Sequence, residues 1–255
     1  MGEGHNGRSP EPGMALMIST PIPGLEPVFA VPLYTTVLPN AQGLNSRLEE
    51  KLGLWESHPP QESHRRPSPV SKPGVYESSF DFFHWEDPDV GALARFCLNQ
   101  VGFLVHRLNG YENRDMEELR FYHHSWFHLT RPGGYTSYHN HPMASWSGVY
   151  CVNPGVPDPD DPQSGALRFF DPRSSASMFL DPGNSYLLPP YGFGTLPHHF
   201  KAGELVLFPS YLNHEVASFR GTGIRITVAF NVWIRYADEP AFEPGLRRAV
   251  SRQSG

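Results

Sequence analysis

The feature that most constrains the fold is a change of pattern near Arg120. Upstream, apolar residues recur at helical spacing, and downstream short apolar runs alternate with turn sequences. The runs predict strands over residues 121–130, 135–141, 146–152, 166–170, 203–208, 214–219 and 224–235. Pro132-Gly133-Gly134, Asn153-Pro154-Gly155 and Arg220-Gly221-Thr222-Gly223 are typical of the turns between them. Helices followed by many short strands predict a mainly β protein, a jelly roll or cupin-like barrel, with the helices packed on one sheet.

Two helices are expected before the strands. Leu44, Leu48, Leu52 and Trp55 recur at helical spacing and predict a short amphipathic helix. A second helix over 88–109 has Asp87 to cap it, Pro88 in its first turn and Gly110 after its last residue. Its broad apolar stripe requires a sheet to cover.

The remaining segments complete the expected organisation. Residues 1–27 are rich in Gly and Pro and are expected to form a disordered lead, and residues 28–35 to form a first strand. Residues 57–75 are expected to be a loop, and 154–163 and 174–196 long surface excursions. The domain prediction is therefore a strand with supporting helices over 28–115, a β core over 116–238 and a tail over 239–255.

The last predicted strand has two different faces. Its apolar face carries Ile224, Ile226, Val228, Phe230 and Val232, whereas its other face carries Arg225, Thr227, Ala229 and Asn231. The second face either lines a cavity in a barrel or is exposed to solvent on a half-buried strand. The histidines described next favour the cavity.

His139 and His141 lie two residues apart in a predicted strand, so their side chains share one face. His214 follows a distant apolar strand, and three imidazoles converging from strand ends could hold a transition metal. The alternative is that the pair consists of exposed loop histidines, since the chain has 13 histidines. His198 and His199, in a turn-rich segment, are expected at the surface or facing a substrate.

Arg225 comes eleven residues after His214 in the chain and lies on the polar face of the last predicted strand. Its planar guanidinium can bind a carboxylate through two parallel hydrogen bonds, and Thr227 on the same face can add a third. The alternative is a buried salt bridge to Asp171 or Glu204.

Other classes of function have less support. A net charge of −6 disfavours nucleic acid as a partner, and no apolar run reaches the length that spans a membrane. Cys97 and Cys151 lie in apolar runs and indicate core positions in a reducing compartment, so a cytoplasmic protein is expected. There is no Gly-x-Ser-x-Gly elbow and no phosphate-binding glycine loop.

Five sequence elements in order resemble the 2-oxoglutarate/iron(II)-dependent oxygenases, and more narrowly a bacterial family of that class with few characterised members. They are His139-Asn140-His141-Pro142, Ser147-Gly148-Val149-Tyr150-Cys151-Val152, Gly165 through Arg173, Phe208-Pro209-Ser210 with His214, and Arg225 through Asn231. The resemblance covers roughly residues 120–235.

The resemblance implies a double-stranded β-helix that binds Fe(II), 2-oxoglutarate and O₂ and hydroxylates a small molecule or peptide side chain, releasing succinate and CO₂. It implies His139, His141 and His214 as iron ligands and Arg225 as partner of the distal carboxylate of 2-oxoglutarate. Thr227, Tyr150 and Asn231 are the further co-substrate residues that we expect.

The chain departs from the family at two positions. His141 stands where the wider superfamily has Asp or Glu, and Cys151 replaces a frequent tyrosine, whose contact Tyr138 or Tyr150 would then supply. Two other functions remain open: a three-histidine iron dioxygenase that does not use 2-oxoglutarate, and a non-catalytic metal- or ligand-binding barrel.

Overall fold

The computed structural model describes residues 22–64, 72–173 and 175–240. The described residues divide into two compact units, a small one of 22–31 with 173 and 175–194, and a large one of 32–64, 72–172 and 195–240. All the strands and helices named below belong to the large unit.

The helices are α1 (Ala41–Trp55), α2 (Pro88–Asn109) and α3 (Asn113–Glu117). The first strands are β1 (Tyr34–Val37), β2 (Val75–Glu77), β3 (Leu119–Thr130), β4 (Thr136–His139), β5 (Trp146–Asn153) and β6 (Val156–Pro157). The later strands are β7 (Leu167–Phe170), β8 (Thr195–His198), β9 (Glu204–Pro209), β10 (His214–Val216), β11 (Gly221–Thr222) and β12 (Arg225–Tyr236). Short 3₁₀ turns lie at Glu62–His64 and Phe82–His84.

The strands form two main antiparallel sheets. The major sheet has the order β1-β9-β5-β12-β3-β2, and the minor sheet has the order β4-β10-β7-β8. A small third sheet pairs β11 with β6. Both main sheets contribute residues to one central pocket, so they face each other as the two layers of a jelly roll. The predicted mainly β fold is confirmed.

The helix α2 has the bounds that its capping residues predict. The carboxylate of Asp87 accepts hydrogen bonds from the backbone N–H groups of Asp89 and Val90. Gly110 ends the helix at a φ of 68°, a left-handed conformation that glycine adopts without steric cost. Its buried stripe is Val90, Leu93, Ala94, Cys97, Val101, Leu104 and Val105. This stripe packs in one hydrophobic core with α1 and the outer face of the major sheet, as the sequence predicts.

The strand β12 is the central element of the site. Ile226, Val228, Phe230 and Val232 lie in the core that includes the helices, whereas Arg225, Thr227, Ala229 and Asn231 line the pocket. The predicted cavity-lining face is therefore confirmed, and the solvent-exposed alternative is wrong.

Several predicted boundaries need correction. The first strand begins at Tyr34, not at residue 28. Its pairing with β9 starts at Tyr34, whereas Val28 and Phe29 are exposed. Strand β4 ends at His139, so His141 follows the strand instead of lying within it.

The loops also contain short strands that the sequence does not predict. The predicted loop over 57–75 ends at β2, and the two predicted excursions include β6 and the first residues of β8. Residues 1–21 of the predicted lead, 65–71 of the loop, 174, and 241–255 of the tail lie outside the described residues.

Candidate metal and co-substrate site

Three histidines converge at one end of the pocket. His139 ends β4, His214 begins β10 and pairs with His139 in register, and His141 follows the strand by two residues. One possible ligand atom from each histidine lies within 4.8 Å of the others, and the ring centroids are 4.3–5.2 Å apart. Such a cluster of nitrogen atoms is typical of a transition-metal site.

Backbone carbonyl groups orient two of these rings. Nδ1 of His139 donates to the carbonyl oxygen of Ser137 at 2.7 Å, and Nδ1 of His214 donates to that of Leu212 at 2.9 Å. In each ring the hydrogen bond leaves Nε2 as the atom with a free lone pair. Metal-binding histidines are commonly held through their second nitrogen in this way.

Burial keeps the imidazoles neutral. It lowers the pKa of His141 to about 3 and that of His214 to about 4, and it also lowers the pKa of His139. The mutual repulsion of the three rings adds to the effect on His141. Neutral rings are the form that binds a metal ion.

Arg225 is 3% exposed and begins β12, six residues before Asn231. Asn231 is connected through Ser147 to Ser210, whose carbonyl oxygen accepts from His141, so Arg225 lies at the other end of the pocket from the histidines. Its Nη1 donates to Oγ1 of Thr227 at 3.4 Å, and its Nη2 is buried with no hydrogen-bond partner. Among the described residues, the guanidinium forms no ion pair, and it lies over the ring of Phe200 at 5.6 Å. Burial lowers the pKa of Arg225, because a charged guanidinium is costly to bury without an anion beside it. The arrangement therefore fits an anionic ligand.

The alternative salt bridge of Arg225 to Glu204 is absent. Glu204 instead accepts a hydrogen bond from Nε2 of His198 at 3.2 Å and one from the backbone N–H of Lys201 at 3.0 Å. His198 is thus half-buried in β8, whereas His199 is exposed.

The other predicted co-substrate residues separate into two groups. Thr227 and Asn231 line the pocket, and Oδ1 of Asn231 accepts a hydrogen bond from Ser147 at 2.7 Å. Tyr150 does not line the pocket. It pairs with Val228 in register, on the core side, and its hydroxyl donates to Oδ1 of Asn45 at 2.7 Å. The prediction of Tyr150 as a co-substrate residue is therefore wrong, because adjacent strand residues point to opposite faces.

Neither suggested replacement for the family tyrosine lines the pocket. The side chain of Tyr138 is 55% exposed and contacts Phe170, with ring centroids 4.9 Å apart. Cys151 is buried opposite Thr227 in register, and burial raises the pKa of its thiol to about 12. The thiol is therefore uncharged near neutral pH.

One group of pocket residues is absent from the sequence prediction. Lys72 lines the pocket and pairs with Glu77 of β2, whose Oε2 lies 2.9 Å from Nε2 of His128. That nitrogen also accepts a hydrogen bond from Nε1 of Trp126 at 3.1 Å. Burial alone would raise the pKa of Glu77, but His128 and Lys72 lower it to about 2, so the carboxylate is ionised. The three residues of β2 are too few to show a period in the sequence.

Comparison with known proteins agrees with this geometry. Residues 124–231 match a family model with the description "Putative 2OG-Fe(II) oxygenase". That segment contains the three histidines, His128 and Arg225, whereas Lys72 and Glu77 precede it. None of the curated proteins matches the sequence.

Solved structures resemble the fold at low sequence identity. AviO1 from Streptomyces viridochromogenes Tue57 has a TM-score of 0.54 and 14% identity, and the match covers 83% of this chain and 93% of that one. The epimerase SnoN from nogalamycin biosynthesis has a TM-score of 0.53 and 13% identity, covering 80% and 78%. A prolyl hydroxylase from Trichoplax adhaerens has a TM-score of 0.51 and 13% identity, covering 79% and 83%.

The fold and the family match together define a non-haem iron oxygenase. Residues 124–231 match the 2OG-Fe(II) oxygenase family, and the chain is a 2-oxoglutarate-dependent dioxygenase. Its cofactor is Fe(II) and its co-substrates are 2-oxoglutarate and O₂. Among the described residues, no helix combines the length and the apolarity that crossing a membrane requires.

Proposed function

We propose that His139, His141 and His214 bind Fe(II) and that Arg225, assisted by Thr227, binds the distal carboxylate of 2-oxoglutarate. The proposal is supported by the convergence of three neutral imidazoles and by the guanidinium at the opposite end of the same pocket. Asn231, at the end nearer the histidines, is the further polar group that we assign to the bound co-substrate.

The residues present fit the metal and the co-substrate. Three imidazoles would bind iron from one side and leave its other positions open, as in the two-histidine, one-carboxylate sites of related oxygenases. When bound, Fe(II) and 2-oxoglutarate supply the activation of O₂, with release of succinate and CO₂. The protein binds and orients these groups, and the apolar side chains of Leu167, Phe208 and Val216 exclude water from the pocket.

The unpartnered Nη2 of Arg225 is the observation that carries this proposal. A three-histidine dioxygenase that does not use 2-oxoglutarate has no carboxylate for the arginine, which would then need an internal acid. Among the described residues no such acid pairs with it. The arrangement therefore favours the 2-oxoglutarate-dependent reaction.

We further propose hydroxylation of a small molecule or a peptide side chain as the reaction. The Trichoplax adhaerens structure contains a peptide fragment of hypoxia inducible factor, and a structure of SnoN contains Fe³⁺, alpha ketoglutarate and nogalamycin RO. Neither ligand is assigned to this chain. The net charge of −6 disfavours nucleic acid, and the two free cysteines support a cytoplasmic location.

We also propose that the oxygenase core spans residues 116–238 and that residues 28–115 support it. The family match over 124–231 and the packing of α1 and α2 on the major sheet support this division.

The experiment that tests the proposed function is turnover without a prime substrate. The full chain is incubated with Fe(II), 2-oxoglutarate and air, and succinate is measured by NMR. We expect slow formation of succinate that requires all three components and is absent in His214→Ala. No succinate and no O₂ consumption with any keto acid would favour a non-catalytic binding barrel.

A further inference from the structure

Lys72 gives the pocket a second cation, which lies outside the segment that matches the family. Its side chain is 15% exposed, and its ammonium pairs with the carboxylate of Glu77, which is 6% exposed. Nζ also lies 3.3 Å from Nε2 of His128. Because β2 and β3 pair Glu77 with His128 in register, the backbone of the major sheet fixes both partners of the lysine.

The ammonium of Lys72 retains a donor for a ligand. An ammonium has three N–H groups, and within the described chain the carboxylate of Glu77 accepts one of them. Nε2 of His128, which accepts from Trp126, lies near the ammonium without using up a second. The residue also lines the pocket that contains the three histidines. Glu77 therefore holds the lysine in place, while one N–H group remains available on the pocket side.

Lys72 acts at the histidine end of the pocket. Its Nζ lies 5.9 Å from the ring centroid of Trp126, and that ring lies 5.9 Å from the ring of His141. Arg225, in contrast, donates its hydrogen bond to Thr227 on β12. The ring of Trp126 therefore connects Lys72 to His141, whereas Arg225 lies beside Thr227.

We propose that Lys72 donates a hydrogen bond to the 1-carboxylate of 2-oxoglutarate, the carboxylate nearer the metal, while Arg225 binds the 5-carboxylate. This inference rests on the proposed function. The missing carboxylate ligand is the physical reason for it: three neutral histidines leave the metal with its full positive charge. A cation fixed beside such a metal repels it, and an anion that lies between the two removes that repulsion. The pocket therefore selects a keto acid with an anionic group at each end.

A comparison of two ligands separates the roles of the two cations. 2-Oxopentanoate keeps the keto group and the 1-carboxylate of 2-oxoglutarate but has a methyl group in place of the 5-carboxylate. Dissociation constants of both are measured by calorimetry on the full chain loaded with Fe(II) under anaerobic conditions. Arg225→Gln should weaken the binding of 2-oxoglutarate only. Lys72→Met should weaken the binding of both ligands by a similar factor of about ten to a hundred.

Two further variants keep the test independent of folding. Lys72→Met removes the ammonium that pairs with the carboxylate of Glu77. The comparison is therefore repeated with the double variant Glu77→Gln/Lys72→Met, in which neither member of the ion pair keeps its charge. Lys51→Met is the matched control, because Lys51 also pairs with carboxylates, those of Asp87 and Asp89, but on α1 away from the pocket. Its two dissociation constants should equal those of the wild type.

The possible outcomes separate this inference from the proposed function. Unchanged affinity for both ligands in the lysine variants would overturn the proposed role of Lys72. A loss of affinity for 2-oxoglutarate alone would also overturn it, because Lys72 would then bind the distal carboxylate. Failure of the wild type to bind Fe(II) or 2-oxoglutarate would instead overturn the proposed function itself.

Discussion

His139 and His214 face each other across the antiparallel pairing of β4 and β10, with their ring centroids 4.3 Å apart. Each ring donates its Nδ1–H to a carbonyl oxygen two residues earlier in the chain. The relationship is set by strand register and backbone hydrogen bonds, so the two Nε2 atoms are oriented before any metal binds. Preorganisation of this kind lowers the cost of forming a metal site.

The helix α2 is expected to act as scaffold only. Leu104 is 6% exposed in the hydrophobic core, and Leu104→Ala should lower the free energy of unfolding by roughly 2–5 kcal/mol through lost burial and the cavity left behind. Leu108→Ala, on the same helix but 54% exposed, is the control and should change it by less than about 0.5 kcal/mol. Urea denaturation measures both. A Leu104 variant of normal stability that has lost succinate formation would contradict the scaffold role.

Acid should destabilise the protein partly through His123. Burial, aided by the nearby His84 and His124, lowers the pKa of His123 to about 4, and its Nδ1 is buried without a hydrogen-bond partner. Because the folded-state pKa is depressed, the stability that neutral His123 contributes is present above the unfolded-state value, near 6.5, and is lost as pH falls toward about 4. His123→Phe should therefore lose less stability between pH 7 and pH 5 than the wild type.

The same urea titrations at the two pH values check this prediction. His58→Phe, at an exposed position on the turn after α1, is the control and should keep the acid sensitivity of the wild type. Equal losses in the wild type and in His123→Phe would show that His123 does not contribute to acid denaturation.

The helix α2 and the two faces of β12 were predictable from sequence for physical reasons. Asp87 and Gly110 are local signals that act within one turn of the helix ends, and alternation along β12 depends on period two alone. Contacts that depend on pairing between distant strands were not predictable in this way. Glu77 faces His128 only because β2 joins the edge of the major sheet, and a strand of three residues has no visible period.

Tyr150 and His141 show the limits of motif and spacing. The motif that contains Tyr150 suggested a role at the pocket, but its register opposite Val228 points the ring into the core. His141 reaches the candidate metal site from a turn, with its backbone N–H donating to the carbonyl oxygen of Ser210, instead of from the predicted strand. The convergence of the three histidines was predictable, whereas the backbone route of His141 was not.

Arg225 should determine affinity for 2-oxoglutarate and leave metal affinity unchanged. Arg225→Lys keeps the charge but loses the two parallel hydrogen bonds, so the 2-oxoglutarate affinity should fall about tenfold to a hundredfold, from the roughly 1.5–3 kcal/mol of a charge-assisted hydrogen bond. Fe(II) affinity should stay within about twofold of the wild type, because the side chain lies at the other end of the pocket. Anaerobic calorimetry gives both constants, with Arg235→Lys on the same strand as the control. Parallel loss of both affinities would indicate a disturbed fold.

The assignment of the metal ligands is tested most directly by anaerobic titration of the full chain with Fe(II), with and without 2-oxoglutarate, while the visible spectrum is recorded. With 2-oxoglutarate, the wild type should develop a metal-to-ligand charge-transfer band that saturates at one iron per chain. His214→Ala should bind no stoichiometric iron and show no band, although its far-UV circular dichroism matches that of the wild type. His199→Ala, at an exposed histidine outside the cluster, should keep the band. A band of full intensity in His214→Ala, or none in the wild type at saturating Fe(II) and 2-oxoglutarate, would contradict the proposed site.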